Sequence, residues 1–346
     1  MTIRHLLLSG FLALLSHAAV ADAPTAPTGL QENVIFTDYS AYSRDSELLR
    51  RSFSPLLVFR GLQETARSGV ALREQDIDLK QERFALYVPD TAPPNGYSLL
   101  VFVSPFDEVA APRRWKSILD RHGMIFVTAA NSGNGQSTIE RREPLALLAA
   151  QNVMNRYKID PQHVYVAGLS GGSRVAEHTA LGYPDLFHGA LLNAGSDPLG
   201  GKYTLPPADL FRRFQETSRL VYVTGDRDDT NLMTDAQSRK SMKDWCMFSI
   251  DTVTIPDLGH KLADPATMDY ALDLLVKPRQ VDMNAVDDCR KKIDTDMNAE
   301  LDQVQAMQAA GKIEDARAAL GKIDARYGGL AAKRVLELER ELNAIH

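Results

Sequence analysis

The sequence predicts an α/β protein: a doubly wound, mostly parallel sheet followed by a helical hairpin at the C-terminus. Two observations lead there. Short, core-like apolar runs alternate with helix-patterned stretches, the pattern of β and α units wound into one sheet. After Lys277–Pro278 the composition changes: residues 282–345 contain no proline and are rich in Ala, Leu, Glu, Asp, Lys and Arg.

The expected strands follow from local pattern. "VALREQDIDL" (70–79) and "RFALYV" (83–88) alternate apolar and polar residues about a polar bend at 80–82, which predicts an antiparallel pair. "SLLVFV" (98–103) is apolar throughout, as in a strand buried on both faces. A helical stretch at 115–121, the run "MIFVTAA" (124–130), and an amphipathic helix after Pro144 come next. "HVYVAG" (163–168), "GALLNAG" (189–195), "RLVYVTG" (219–225) and "IDTVTIP" (250–256) complete the strands. In the tail, Gly311 and Gly328–Gly329 are natural stops that divide it into two or three helices, and Ile313, Ala316, Leu320 and Ile323 mark one apolar stripe.

The N-terminus has the order of a secretory signal: Arg4, an apolar run over 6–15 too short to cross a bilayer as a helix, then small residues ending Ala-Val-Ala. The expected segments are a signal peptide over 1–21 cleaved after Ala21, a leader and lead-in over 22–69, a sheet domain over 70–278, and a helical extension over 279–346. Such a protein is periplasmic or secreted. No later run is long enough to span a membrane, so no membrane span is expected.

The net charge is −6, and removing residues 1–21 takes away only Arg4, which makes it more negative. A nucleic-acid footprint would need a basic surplus, so no nucleic-acid partner is expected. Neither H-E-x-x-H nor C-x-x-C occurs, and no phosphate-cradling glycine loop follows a strand, so no metal and no cofactor is expected. Cys246 and Cys289 are the only cysteines. In an oxidising compartment they are expected to form a disulfide that pins the tail to the sheet domain.

Gly168-Leu169-Ser170-Gly171-Gly172 fits G-x-S-x-G, with a strand before it and a helix after it. That context is the one in which a serine sits on a strained turn as a nucleophile. The glycines leave room for the sharp turn, and the N–H of Gly171 lies beside the reacting carbonyl. A base is expected later in the chain. His122, His163, His178 and His188 precede the expected acid and His346 is terminal, whereas His260 follows a strand in the loop "DLGH". The acid comes from "GDRDDTN" after a core strand; the spacing favours Asp228, with Asp226 and Asp229 as alternatives.

Strand order, elbow, acid after a strand and late histidine together resemble the α/β-hydrolase superfamily, over roughly residues 70–278. "YPDLFHGALLNAG" (183–195) is similar to secreted esterases and the poly(hydroxybutyrate)-depolymerase-like branch, in which a YPDxFxG segment leads into the next strand. The resemblance implies a serine hydrolase with catalytic Ser170, Asp228 and His260, acting on a small-molecule or polymeric ester. A prolyl-oligopeptidase-type peptidase uses the same three groups, and a non-catalytic scaffold working through its helical tail is the alternative outside the enzymes. Where this family often has His-Gly after its third strand, the chain has Ser104-Pro105. Proline lacks an N–H, so the second oxyanion donor is expected to be the N–H of Phe106, or a side chain such as Ser104. "NSGNG" (131–135) could line the site or be a plain polar turn. "AMQAAGKIEDARAAL" (306–320) resembles the middle of one tetratricopeptide unit, a helical surface that offers a place for a protein partner.

Overall fold

The structure, a computed structural model, describes residues 26–69, 74–200, 203–278 and 280–345. The signal peptide expected over 1–21 and His346 lie outside these residues. Eight strands form one sheet: β1 (Gly29–Val34), β2 (Phe84–Val88), β3 (Tyr97–Val103), β4 (Met124–Ala129), β5 (Ile159–Leu169), β6 (Gly189–Asn193), β7 (Arg219–Gly225) and β8 (Ile250–Ile255). Their order is β1-β2-β4-β3-β5-β6-β7-β8, with β1 and β2 antiparallel to their neighbours and the rest parallel. This is the α/β-hydrolase arrangement that the resemblance implied.

The helices α1 (Asp45–Ser52) and α2 (Pro55–Ser68) precede β2; α3 (Lys116–Arg121), α4 (Glu143–Arg156), α5 (Gly171–Gly182), α6 (Ala208–Thr217), α7 (Asp229–Asp244) and α8 (Pro265–Val276) connect or follow the strands. Alternation along each strand separates two cores. Leu99, Val101 and Val103 join the cluster under α4 and α5, while Leu100 and Phe102 point the other way, to Trp115 and the α3 and α8 residues Leu119 and Leu272. Strands β2, β4, β6 and β7 are buried throughout, which is why they read as unbroken apolar runs.

Two expectations are corrected. No strand forms over 74–79: Asp78 accepts a hydrogen bond from the Lys80 N–H through its side chain at 3.1 Å and from the Gln81 N–H through its carbonyl at 2.9 Å, closing a turn. Ile77 and Leu79 still enter the core, so the alternation was real although the ladder was not. The antiparallel partners of β2 are β4 and β1, the latter contributed by the segment before residue 70. Helix α4 is not amphipathic over its first two turns: Glu143 to Ala150 are all buried, because the helix lies between the sheet and the N-terminal segment.

The tail contains three helices, α9 (Met283–Ala309), α10 (Ile313–Tyr327) and α11 (Ala332–Ala344). The stretch 306–320 forms a helix–turn–helix around the turn at Gly311, and Ala316, Leu320 and Ile323 face a common core with Val335, Leu338 and Leu342. Helix α2 completes that core through Leu56. Its N-terminus is tied to α10 by the Leu56 N–H donating to Asp324 Oδ1 (3.1 Å), and Arg60 pairs with Glu339 of α11 at 2.9 Å. The N-terminal lead-in and the tail therefore form one helical layer.

Cys246 and Cys289 are bonded, with their α-carbons 5.8 Å apart, joining the segment after α7 to α9. Arg290 beside it donates to Gln215 Oε1 (2.6 Å) and the Arg212 carbonyl (2.9 Å) on α6. A link closing 43 residues stabilises a fold by roughly 4 kcal/mol in the chain-entropy view. Cys289→Ser is expected to lower the melting temperature, and alkylation of denatured but unreduced wild-type protein should modify neither cysteine. Two alkylated cysteines would show that the bond is not made.

Behind the sheet's carboxyl edge lies a buried acid. Glu177 on α5 accepts hydrogen bonds from the Asp197 N–H (2.7 Å) and Ser238 Oγ (2.7 Å). Burial outweighs these bonds and pushes its carboxyl up to about 8 from 4.5. A carboxyl whose folded value is raised contributes stability that is present below the ordinary value and lost as the pH climbs through the folded one. Glu177→Gln mimics the neutral acid, so it should raise the melting temperature at about pH 8 and have little effect near pH 4. Equal melting of the two proteins at both pH values would refute the assignment.

Candidate active site

Strand β5 lies where the connections diverge, with β3 and β4 on one side and β6 to β8 on the other. Crevices at such switch points, beyond the carboxyl ends of the strands, are where doubly wound sheets hold ligands. Ser170 stands there, between β5 and α5, at φ 57 and ψ −122. A non-glycine residue in that region is strained, and its surroundings must hold it. The two flanking glycines make the turn feasible. A Cβ on Gly168 would lie 2.3 Å from the Gly172 carbonyl carbon, and one on Gly172 would lie 2.0 Å from the Val103 oxygen.

The structure brings the expected residues together. Ser170 Oγ lies 2.8 Å from His260 Nε2, and His260 Nδ1 lies 2.7 Å from Asp228 Oδ2. Asp226 and Asp229 are exposed and lack this contact, whereas Asp228 is buried. Its burial raises the carboxyl pKa, but bonds from His260 and Asn231 outweigh that and hold it below the usual 3.8. The ionised form is thus favoured beside the imidazole. The other described histidines lie elsewhere: His122 against Asp269, His163 against Asp160, His178 buried against Glu143, and His188 buried just before β6.

Three supporting residues escaped the sequence reading. Asn231, one turn into α7, directs Nδ2 to both Asp228 oxygens at 2.9 Å, and Arg174 donates to its Oδ1 at 3.0 Å. A guanidinium only donates, so this bond fixes which way the Asn231 amide faces. Asn193, fully buried at the end of β6, donates to the Val223 carbonyl (3.0 Å) and accepts from the Ala263 N–H (2.8 Å). Its own carbonyl accepts from the Ser170 N–H at 2.9 Å, so one residue fixes both the elbow and the chain just beyond His260. The i+3 spacing of Asp228 and Asn231 was the available signal for one of them; nothing local marks Arg174 or Asn193.

The expected oxyanion donors fare differently. The Gly171 N–H is the first of α5, a position with no partner one turn back. The Phe106 N–H is turned onto its own loop and donates to Ser104 Oγ at 3.0 Å. Pro105 between them offers no N–H, so the serine hydroxyl takes up the next amide in the turn. Phe106 is 62% exposed and the His260 side chain 46% exposed. The site therefore opens to the surface. Among the described residues no group of His, Cys, Asp or Glu is arranged to hold a metal ion, and no helix is long and apolar enough to cross a membrane.

The fold and this geometry define the class: a mostly parallel sheet with a serine, a histidine and an aspartate in contact beyond its carboxyl edge. No family model matches the chain. Over 98 residues it is 34% identical to a poly(3-hydroxybutyrate) depolymerase of Ralstonia pickettii, a match covering 24% of this chain and 20% of that protein. The chain thus aligns with one fifth of the length of this relative. Among solved structures it is similar to Est1E from Butyrivibrio proteoclasticus (TM-score 0.41, 16% identity, 59% of this chain and 98% of the other). It is also similar to an acetyl xylan esterase from Aspergillus awamori (TM-score 0.43, 14% identity, 56% and 94%). A structure assigned to a dipeptidyl aminopeptidase IV of Bacteroides ovatus scores 0.42 at 17% identity, covering 56% of this chain and 32% of that one. Likenesses this distant carry no argument about the reaction.

Proposed function

We propose that the chain is a serine hydrolase cleaving carboxylic esters through an acyl-enzyme. The observation that carries this reading is the continuous contact Ser170–His260–Asp228 on a strained elbow. His260 Nε2 takes the proton of Ser170 as Oγ bonds to the acyl carbon, and Asp228 holds the Nδ1–H tautomer and the imidazolium. The Gly171 N–H receives the negative charge on the former carbonyl oxygen. Collapse breaks the carbon–oxygen bond to the alcohol, which leaves with the proton from His260. Water then enters by the same path and releases the acid.

The partial likeness to a poly(3-hydroxybutyrate) depolymerase supports an ester, and the half-exposed His260 leaves the site open to solvent. The Cys246–Cys289 bond supports a periplasmic or secreted protein, since such bonds persist outside the reducing cytosol. A fluorophosphonate probe is expected to label wild-type protein at Ser170. A matched panel of p-nitrophenyl esters and p-nitroanilide peptides should show turnover of the esters. Peptide turnover without ester turnover would replace the esterase by a peptidase, and no labelling would remove the enzyme reading altogether.

A further inference from the structure

An oxyanion that forms on the acyl group calls for two preorganised donors; the Gly171 N–H offers one, and the Phe106 N–H is bonded to Ser104 Oγ. We infer that the carboxamide of Asn134 is the second, donating through Nδ2. This rests on the serine-hydrolase reading. The loop after β4 is laced to the loop after β3: the Asn134 N–H donates to the Pro105 carbonyl (2.9 Å), the Gly133 N–H to Asp107 Oδ1 (2.9 Å), and the Asn131 N–H to the Asp107 carbonyl (2.8 Å). These bonds carry Asn134 to the elbow. Oδ1 of Asn134 accepts from Arg142 Nη2 at 3.3 Å. Because a guanidinium has no acceptor, Oδ1 must be the atom that faces it, and Nδ2 takes the other position. Among the described residues Nδ2 has no hydrogen-bond partner, and the side chain is exposed where a substrate could meet it.

The placement follows from Gly171. A Cβ there would lie 2.2 Å from Asn134 Oδ1 and 3.2 Å from Nδ2, so the carboxamide rests against the glycine α-carbon, next to the Gly171 N–H. Any larger residue at 171 would push the amide away, which gives this glycine a role distinct from the turn-forming Gly168 and Gly172. Arg142 supplies the rigidity. It is 4% exposed and donates also to the Ser132 carbonyl (2.7 Å) and the Ser104 carbonyl (3.1 Å). Its guanidinium, facing Oδ1, polarises the amide in the direction that strengthens Nδ2 as a donor.

Two variants separate donation from structure. Asn134→Ala removes donor and acceptor without adding charge. Asn134→Asp keeps the acceptor for Arg142 and removes the donor. With p-nitrophenyl acetate, each is expected to lose about 10²- to 10³-fold in kcat while KM changes by less than about threefold, as when one oxyanion donor is deleted. Affinity for phenylboronic acid, which forms a tetrahedral adduct on the serine, should fall in parallel. Asn134→Asp should melt no lower than wild type. If either variant keeps kcat within about threefold of wild type, Asn134 is not the donor. If wild type neither turns over the ester nor labels at Ser170 with a fluorophosphonate, the hydrolase reading fails and takes this inference with it.

Discussion

Ser170→Ala is expected to lower kcat for ester hydrolysis by about 10⁶, with the melting temperature little changed, and His260→Ala should match it. Neither side chain is a core packing element. Ser170 Oγ bonds to His260 Nε2 at the surface end of the contact chain, and the His260 side chain is nearly half exposed. On the proposed serine-hydrolase mechanism the two groups act as a unit, since the serine is a poor nucleophile without the base and the base has nothing to deprotonate without the serine. The double variant should therefore be no slower than either single one. Initial rates with p-nitrophenyl butyrate and circular dichroism melts check this. A folded Ser170→Ala protein with wild-type turnover would overturn the nucleophile.

Asp228→Asn should lower kcat by about 10⁴ while leaving the fold intact. The carboxylate accepts from His260 at 2.7 Å and from Asn231 at 2.9 Å through both oxygens. An amide in its place turns its oxygen to Asn231 and its NH₂ to the imidazole. Nδ1 must then accept, Nε2 carries the proton, and the ring can no longer take one from Ser170. Asp226→Asn and Asp229→Asn, both exposed, should each cost less than about tenfold. The same bonds hold Asp228 below its usual carboxylate value, so its contribution to stability is present at neutral pH and is lost as the pH falls through that lowered value. Wild type should thus lose stability at acid pH more steeply than Asp228→Asn. A crippled Asp229→Asn with an active Asp228→Asn would move the acid one position along.

The three candidate residues were legible because each lies within five residues of a strand's carboxyl end, and strand runs are the strongest local signal in this chain. The oxyanion side was less so. Ser104-Pro105 moved the expected second donor to the Phe106 N–H or a side chain such as Ser104, but the bond from that N–H to Ser104 Oγ depends on turn geometry that residue types do not specify. Asn134 reaches the elbow only because two loops, separated in sequence by more than twenty residues, are laced through Asp107 and Pro105.

By itself the sequence determined the alternation of strand and helix, the elbow with its obligatory small residues, and the candidates Ser170, Asp228 and His260. Period and steric demand act over a few residues, so they can be read from a few residues. The tertiary structure alone decided that β1 rather than 74–79 pairs with β2, that α2 joins α9 to α11, and how Asn193, Asn231, Arg174 and Arg142 brace the site. Each of these depends on contacts between distant segments, where several placements suit the local pattern equally. The free energy of the whole packed chain selects among them.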